Sequence, residues 1–133
     1  MKKITATIEK GESGFGIYIE KNPLPYGISG SGATVDEAIE DFMSAYNEMR
    51  EFYEEEGSKF VEAEFSYIYD IPSFLQYYAF AFSLAGLENI TGINQRQLSH
   101  YINGVNKPRP GTIAKIERSI QAFGRELAGI RLA

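Results

Sequence analysis

The spacing of hydrophobic positions changes period twice along the chain. In "KKITATIEK" Ile4, Ala6 and Ile8 alternate with polar residues, and in "GFGIYIEK" Phe15, Ile17 and Ile19 do the same, as strands buried on one face require. Between them "KGESG" is a short, glycine-bearing hairpin connection. A third extended piece is expected over residues 26–31, because Pro23 and Pro25 in "KNPLPYG" interrupt anything earlier. From Val35 the spacing becomes helical: Val35, Ile39, Phe42, Tyr46, Met49 and Tyr53 recur at alternating steps of four and three. Thr34 and Glu37 form a capping-box pattern, and Asp36, Glu37, Glu40 and Asp41 suit the positive end of a helix dipole. With Gly57 as its stop, a helix over residues 34–56 is predicted. "FVEAEFSYIYD" alternates again and predicts a fourth strand, which completes a βββαβ module.

In "DIPSFLQ" Pro72 breaks the strand, and Ser73 is the expected cap of the next helix. Beyond it only helical patterns occur, over residues 74–82, 84–91, 94–103 and 112–127. The predicted fold class is therefore α+β, with a βββαβ module over residues 1–72 and an all-helical module over residues 73–133. The longest apolar run, "FLQYYAFAFSLAGL", is too short for a bilayer and carries a glutamine, so it reads as core. The N-terminal "MKKITATIEKGE" holds two lysines but no apolar stretch of signal-peptide length, so the expected location is the cytoplasm.

Composition adds two things. A hydrophobic content of 44% with nine Phe and nine Tyr supports a packed core, and the lack of any cysteine excludes disulfides, thiolate metal sites and cysteine nucleophiles. Charge is divided unevenly. Residues 1–72 hold six Lys and Arg against fifteen Asp and Glu, a net of -9, whereas residues 73–133 hold seven against three, a net of +4. Such asymmetry suggests modules with different partners, the basic one a candidate for a polyanion.

Within the basic half, "TGINQRQLSHYINGVNKPRP" contains no carboxylate. Gly92 supplies a tight turn, Asn94 a cap and Gly104 a left-handed stop. At 100° per residue Leu98, Tyr101 and Ile102 share one side, Arg96, Ser99, His100 and Asn103 fall opposite, and Gln95 and Gln97 flank them. A face of Gln, Arg, Ser, His and Asn offers donors and acceptors without repelling phosphate, the chemistry a major groove requires: arginine takes guanine bidentately, and glutamine takes adenine. A solvated helix face would use the same residues.

"TGINQRQLSHYINGVNKPRPGTIAKI" resembles the second half of a phage-repressor-type helix-turn-helix. It has a glycine turn, a capping residue, a recognition helix ending in Leu-Ser-x-x-Ile-Asn-Gly, a lysine-proline loop and a further helix opened by Thr112, and the likeness spans about residues 84–120. The resemblance implies that Gln95, Arg96, Ser99 and His100 read bases, with Gln97 and Asn103 beside them, while Lys107, Arg109 and Thr112 hold phosphates. Glu88 departs from the pattern, since it falls where the motif prefers a small residue. Either a longer turn with Ala85 or Gly86 at the crossing or an altered helix angle would follow.

The helix over residues 34–56 carries Asp36, Glu37, Glu40, Asp41, Glu48, Glu51, Glu54 and Glu55 on its solvent side. That face either keeps the protein soluble or docks a basic partner, and for docking Asp36, Glu37, Glu40, Glu48, Glu51 and Glu55 are the candidates. Glycines precede this helix in "YGISGSGATVDEA", but no Gly-Lys-Ser/Thr follows and the carboxylates would repel phosphate, so no nucleotide site is expected. Two strands, a Pro-Gly turn and then "GISGSGATVDEAIEDF" are similar to the N-terminal domain of HicB-type antitoxins, in which a Gly-x-Thr-x-x-Glu-Ala segment opens the helix. The likeness spans about residues 4–69. It implies a truncated ribonuclease-H-like fold, joined to a helix-turn-helix, in an antitoxin of a type II toxin-antitoxin system. Such a protein neutralises a small basic HicA-like toxin that cleaves mRNA and represses its own operon by binding operator DNA.

No catalysis and no cofactor are expected. A ribonuclease-H-type centre needs several carboxylates on strand centres, and those centres are Thr5, Thr7, Gly16 and Tyr18, with Glu20 alone near a strand end. His100 is the only histidine. Tyr77, Tyr78, Phe80 and Phe82 have no cations between them, so they suit a core or dimer interface better than a base-stacking platform. A homodimer or higher homo-oligomer is expected, since one recognition helix reads too few base pairs, and its interface is placed on this aromatic helix and residues 123–132. The alternative is a stand-alone helix-turn-helix regulator with a dimerising or small-ligand-binding N-terminal domain.

Overall fold

The structure, a computed structural model, describes residues 1–133. The chain divides into two compact units, Met1–Ser73 and Phe74–Ala133. It is an α+β protein with one mixed four-stranded sheet. No helix is long and apolar enough to cross a membrane.

In the first unit β1 (Lys2–Lys10) and β2 (Phe15–Tyr18) form an antiparallel hairpin, closed where Gly11 N donates to Gly14 O at 2.8 Å. β3 (Gly30–Gly32) pairs antiparallel with β2, and β4 (Ala63–Tyr69) lies parallel to β1, giving the order β3-β2-β1-β4. The helix α1 (Val35–Glu55) provides the crossover between β3 and β4 that a parallel pair needs. Of the alternating sets read from the sequence, Ile4, Ala6, Ile8, Phe15 and Ile17 are buried, with Ala38, Phe42 and Tyr46 of α1, whereas Ile19 lies past the end of β2 and is half-buried.

Aromatic rings fill the space between helix and sheet. Phe42 stands edge-on to Phe65 at 4.9 Å and Tyr67 at 6.0 Å, and Tyr46 stands edge-on to Phe60 and Phe65 at 5.3 and 5.2 Å. Each such pair contributes roughly 0.5–1.5 kcal/mol beyond its buried area. Tyr46 also satisfies a backbone group, because its Oη accepts from Ala63 N at 2.9 Å where β4 begins.

The third strand lies further along than the sequence predicts, at residues 30–32 rather than 26–31. The reason is Tyr26. Its ring stacks on Phe60 at 5.0 Å and its hydroxyl donates to Val61 O at 2.6 Å, so the residue is a core plug and not a strand member. Asn22 holds the approach, accepting from Leu24 N at 2.9 Å and donating to Tyr26 O at 2.8 Å. Burial pushes the Tyr26 phenol up to about 12, helped by Tyr46, Tyr53 and Glu62 and opposed by Arg50.

Helix α2 (Ile71–Tyr77), which leads into the second unit, starts earlier than predicted. Asp70, not Ser73, is its cap: Ser73 N donates to Asp70 Oδ1 at 2.8 Å, while Ser73 Oγ accepts from Lys10 N at 2.9 Å. Pro72 is accommodated because a first-turn residue has no intrahelical N–H bond to lose. The predicted single helix over residues 74–82 is instead the end of α2 followed by a 3₁₀ turn over Tyr78–Phe80. Then come α3 (Leu84–Thr91), α4 (Gln95–Ile102) and α5 (Pro110–Ala128). α5 begins two residues before Thr112, with Pro110 in the first turn where its fixed φ is helical. Each helix gives one or two residues to the interior of this unit, namely Leu75, Leu87, Leu98, Tyr101 and Ile116.

Tyr46→Phe keeps the ring and leaves Ala63 N without its partner, so unfolding in urea should show a loss of about 1–3 kcal/mol, the cost of a buried orphan donor. A second expectation concerns alkali. Because the folded-state pKa of Tyr26 is raised from 10 to about 12, its contribution is complete below pH 10 and is lost as pH rises towards 12. Denaturation midpoints followed between those pH values should fall for the parent, and Tyr26→Phe should flatten that decline.

Candidate nucleic-acid interface

Helices α3 and α4 are joined by three residues, and local hydrogen bonds fix the turn. Gly92 has φ 75°, the left-handed region open to glycine, and its N–H donates to Glu88 O at 2.7 Å. The buried Thr91 hydroxyl donates to Leu87 O at 2.7 Å and accepts from Ile93 N at 3.2 Å. Asn94 caps α4 by accepting from Gln97 N at 2.8 Å. At the far end Gly104, at φ 73°, lets Val105 N reach His100 O at 2.9 Å.

Glu88 now has a physical account. The turn is not lengthened, and neither Ala85 nor Gly86 is buried. Instead the half-buried Glu88 carboxylate accepts from Gln95 N at 3.2 Å. It supplies a second acceptor at the N-terminus of α4, where unpaired N–H groups and the helix dipole both favour an anion.

The predicted inward set is inward: Leu98 is 0% and Tyr101 4% exposed, while Ile102 is half-buried and its carbonyl accepts from Gln76 Nε2 at 3.2 Å. On the opposite face Gln95, Arg96 and Asn103 are exposed, and Gln97, Ser99 and His100 are half-buried. Asn103 Nδ2 donates to Ser99 Oγ at 3.3 Å, and Asn106 Nδ2 lies 3.5 Å from His100 Nδ1, so this face is partly preorganised by its own amides. Lys107 and Arg109 are exposed in the loop to α5, and Thr112 is half-buried in its first turn. The one ion pair of the chain joins Arg50 to Glu62 at 3.8 Å, so no carboxylate neutralises Arg96, Lys107 or Arg109.

Lys115 was not legible in the motif. A side chain built on Gly92 would meet Lys115 Nζ at 3.5 Å, which puts this cation over the α3–α4 turn, by the negative end of α3. Its only sequence signal is a position one turn after Thr112.

On α1 the six carboxylates Asp36, Glu37, Glu40, Glu48, Glu51 and Glu55 are all exposed. Glu37 is not free for a partner, however. Thr34 Oγ1 accepts from Glu37 N at 3.1 Å, and the Glu37 carboxylate reaches back to Ala33 N at 2.9 Å, one residue beyond the usual capping-box target. Asp41 is likewise engaged, accepting from Ser31 N at 2.8 Å. No group of three or more His, Asp or Glu side chains is gathered so as to hold a metal ion.

Comparison of the chain with protein-family models, curated proteins and solved structures gives no match.

Substitution at the two caps of α4 tests how the helix is held. Asn94→Ala should cost about 1 kcal/mol in thermal or urea unfolding. Glu88→Ala should cost a similar amount, and Glu88→Gln, which keeps an acceptor oxygen, should recover most of it.

Proposed function

We propose that the chain is a HicB-like antitoxin that represses its own operon. One observation carries the reading: the outer face of α4 presents exposed Gln95, Arg96 and Asn103, and the cations beside it have no ion-pair partner. That face joins hydrogen-bonding capacity to unneutralised charge, and both are needed for major-groove recognition of operator DNA. Arg96 with Gln95, Gln97, Ser99, His100 and Asn103 reads base edges; Lys107, Arg109 and Thr112 hold the backbone, and Lys115 joins them. Two copies act together on a two-fold operator, associating through apolar side chains of the helical unit, of which Phe80, Leu127, Ile130 and Leu132 are exposed.

The first unit sequesters a small, basic, mRNA-cleaving toxin of the HicA-like kind. The order β1-β2-β3-α1-β4 and the exposed carboxylates of α1 support this role, since a complementary face speeds encounter and rejects acidic competitors. The decisive experiment is a pull-down with the product of any short neighbouring reading frame that encodes a basic protein, paired with operator binding by the same preparation. Operator binding without a captured basic partner would leave a stand-alone helix-turn-helix regulator as the reading.

For the DNA-binding face, Arg96→Ala should weaken specific operator binding by about 1–3 kcal/mol, and Lys107→Ala should weaken all sequences alike while lowering the salt slope by about one. Titrations over a range of salt concentrations separate the two. If both variants bind operator as the parent does, the groove assignment fails.

A further inference from the structure

A groove of about 700 Å³ runs along α1 in the first unit. Gly27, Ile28 and Ser29 form one wall, and Ala45, Glu48, Met49 and Phe52 of α1 form the other. Its surface is mainly apolar, and Phe52, a large aromatic, is 54% exposed within it. The wall opposite α1 has a further property. Residues 27–29 run directly into β3 yet lie outside the β2–β3 ladder and make no main-chain hydrogen bond, so their backbone groups are open to an added strand.

The charge around this groove is one-sided. Glu48 stands in its wall, and Glu51 and Glu55 follow on the adjoining strip of the helix, all three exposed and without an ion-pair partner. An occupant must therefore match two features at once, an apolar cleft and an anionic rim. We propose that this groove is the anchor site for the basic partner, taking an extended segment in which one large aliphatic or aromatic side chain is flanked by lysines or arginines. The apolar side chain enters between Ile28 and Phe52, the flanking cations face Glu48, Glu51 and Glu55, and the segment's backbone runs beside residues 27–29. This rests on the reading of α1 as a docking face and adds what charge alone does not give, namely a reason for the partner to be chosen by sequence.

The test uses full-length, isotope-labelled protein at low salt and two synthetic peptides, Arg-Lys-Leu-Lys-Arg and the same peptide with serine in place of leucine, both blocked at their ends. NMR titration should show the leucine peptide shifting the resonances of residues 27–29, Met49 and Phe52 and binding about tenfold more tightly than the serine peptide, as burial of one leucine predicts. Phe52→Ala and, independently, Ile28→Ser should erase that preference and leave serine-peptide binding unchanged. Reversal of Glu51 and Glu55 to lysine should weaken both peptides by the same factor. If both peptides bind the parent alike and the charge reversal abolishes both, the groove inference is overturned and the docking face stands. If neither peptide binds, both fall.

Discussion

The backbone of α1 lies so close to β3 that there is no space for a side chain between them. A Cβ on Gly30 would come within 2.5 Å of Phe42 N and 2.7 Å of Ala38 O, and one on Gly32 within 2.6 Å of Ala38 N. Only glycine permits that approach. Much in the first unit depends on it. With the helix seated this low, Phe42 and Tyr46 reach the rings of Phe65, Tyr67 and Phe60, and Asp41 and Glu37 are brought to the N–H groups of Ser31 and Ala33. A three-residue edge strand with two glycines has little pairing energy of its own, and these carboxylates occupy N–H groups along and just after it.

The same seating arranges the charge of the unit. Because one side of α1 is filled by aromatic contacts, its carboxylates are left on the other, and they divide into two kinds. Glu37 and Asp41 are bonded to backbone and belong to the fold, whereas Asp36, Glu40, Glu48, Glu51 and Glu55 are exposed and make no ion pair. A count of acidic residues treats both kinds alike, and only hydrogen bonding separates the structural ones from those available to a partner.

The sequence was legible wherever a local period or a local cap encodes the structure. The two-residue alternation of Ile4, Ala6 and Ile8, the helical stripe through Phe42 and Tyr46, and the Gly92, Asn94 and Gly104 punctuation of α4 all concern neighbours within a few residues, and all are realised. The misplacements have long-range causes. Tyr26 left the expected strand because Val61 and Phe60, distant in sequence, offered a better place for its ring and hydroxyl. Ser73 gave up the cap of α2 to Asp70 because Lys10 N needed an acceptor. Glu88 looked out of place while its partner, Gln95 N, lay hidden across the turn, and Lys115 gained its position only when α5 folded back on α3. The candidate reading residues were legible as a face; the state of each side chain on it, such as the Asn103 contact with Ser99, was not.

The Glu88 contact also sets the charge at the start of α4. A carboxylate already occupies the positive end of the helix, so the field that elsewhere draws phosphate to a helix N-terminus is satisfied internally. Positive charge lies instead on the loop and on α5, as Lys107, Arg109 and Lys115, while the face of α4 itself carries amides, a hydroxyl, one imidazole and a single arginine. Positive charge and hydrogen-bonding capacity thus sit on separate stretches of chain, an arrangement under which the polar face of α4 can change residue by residue while the charge beside it stays as it is.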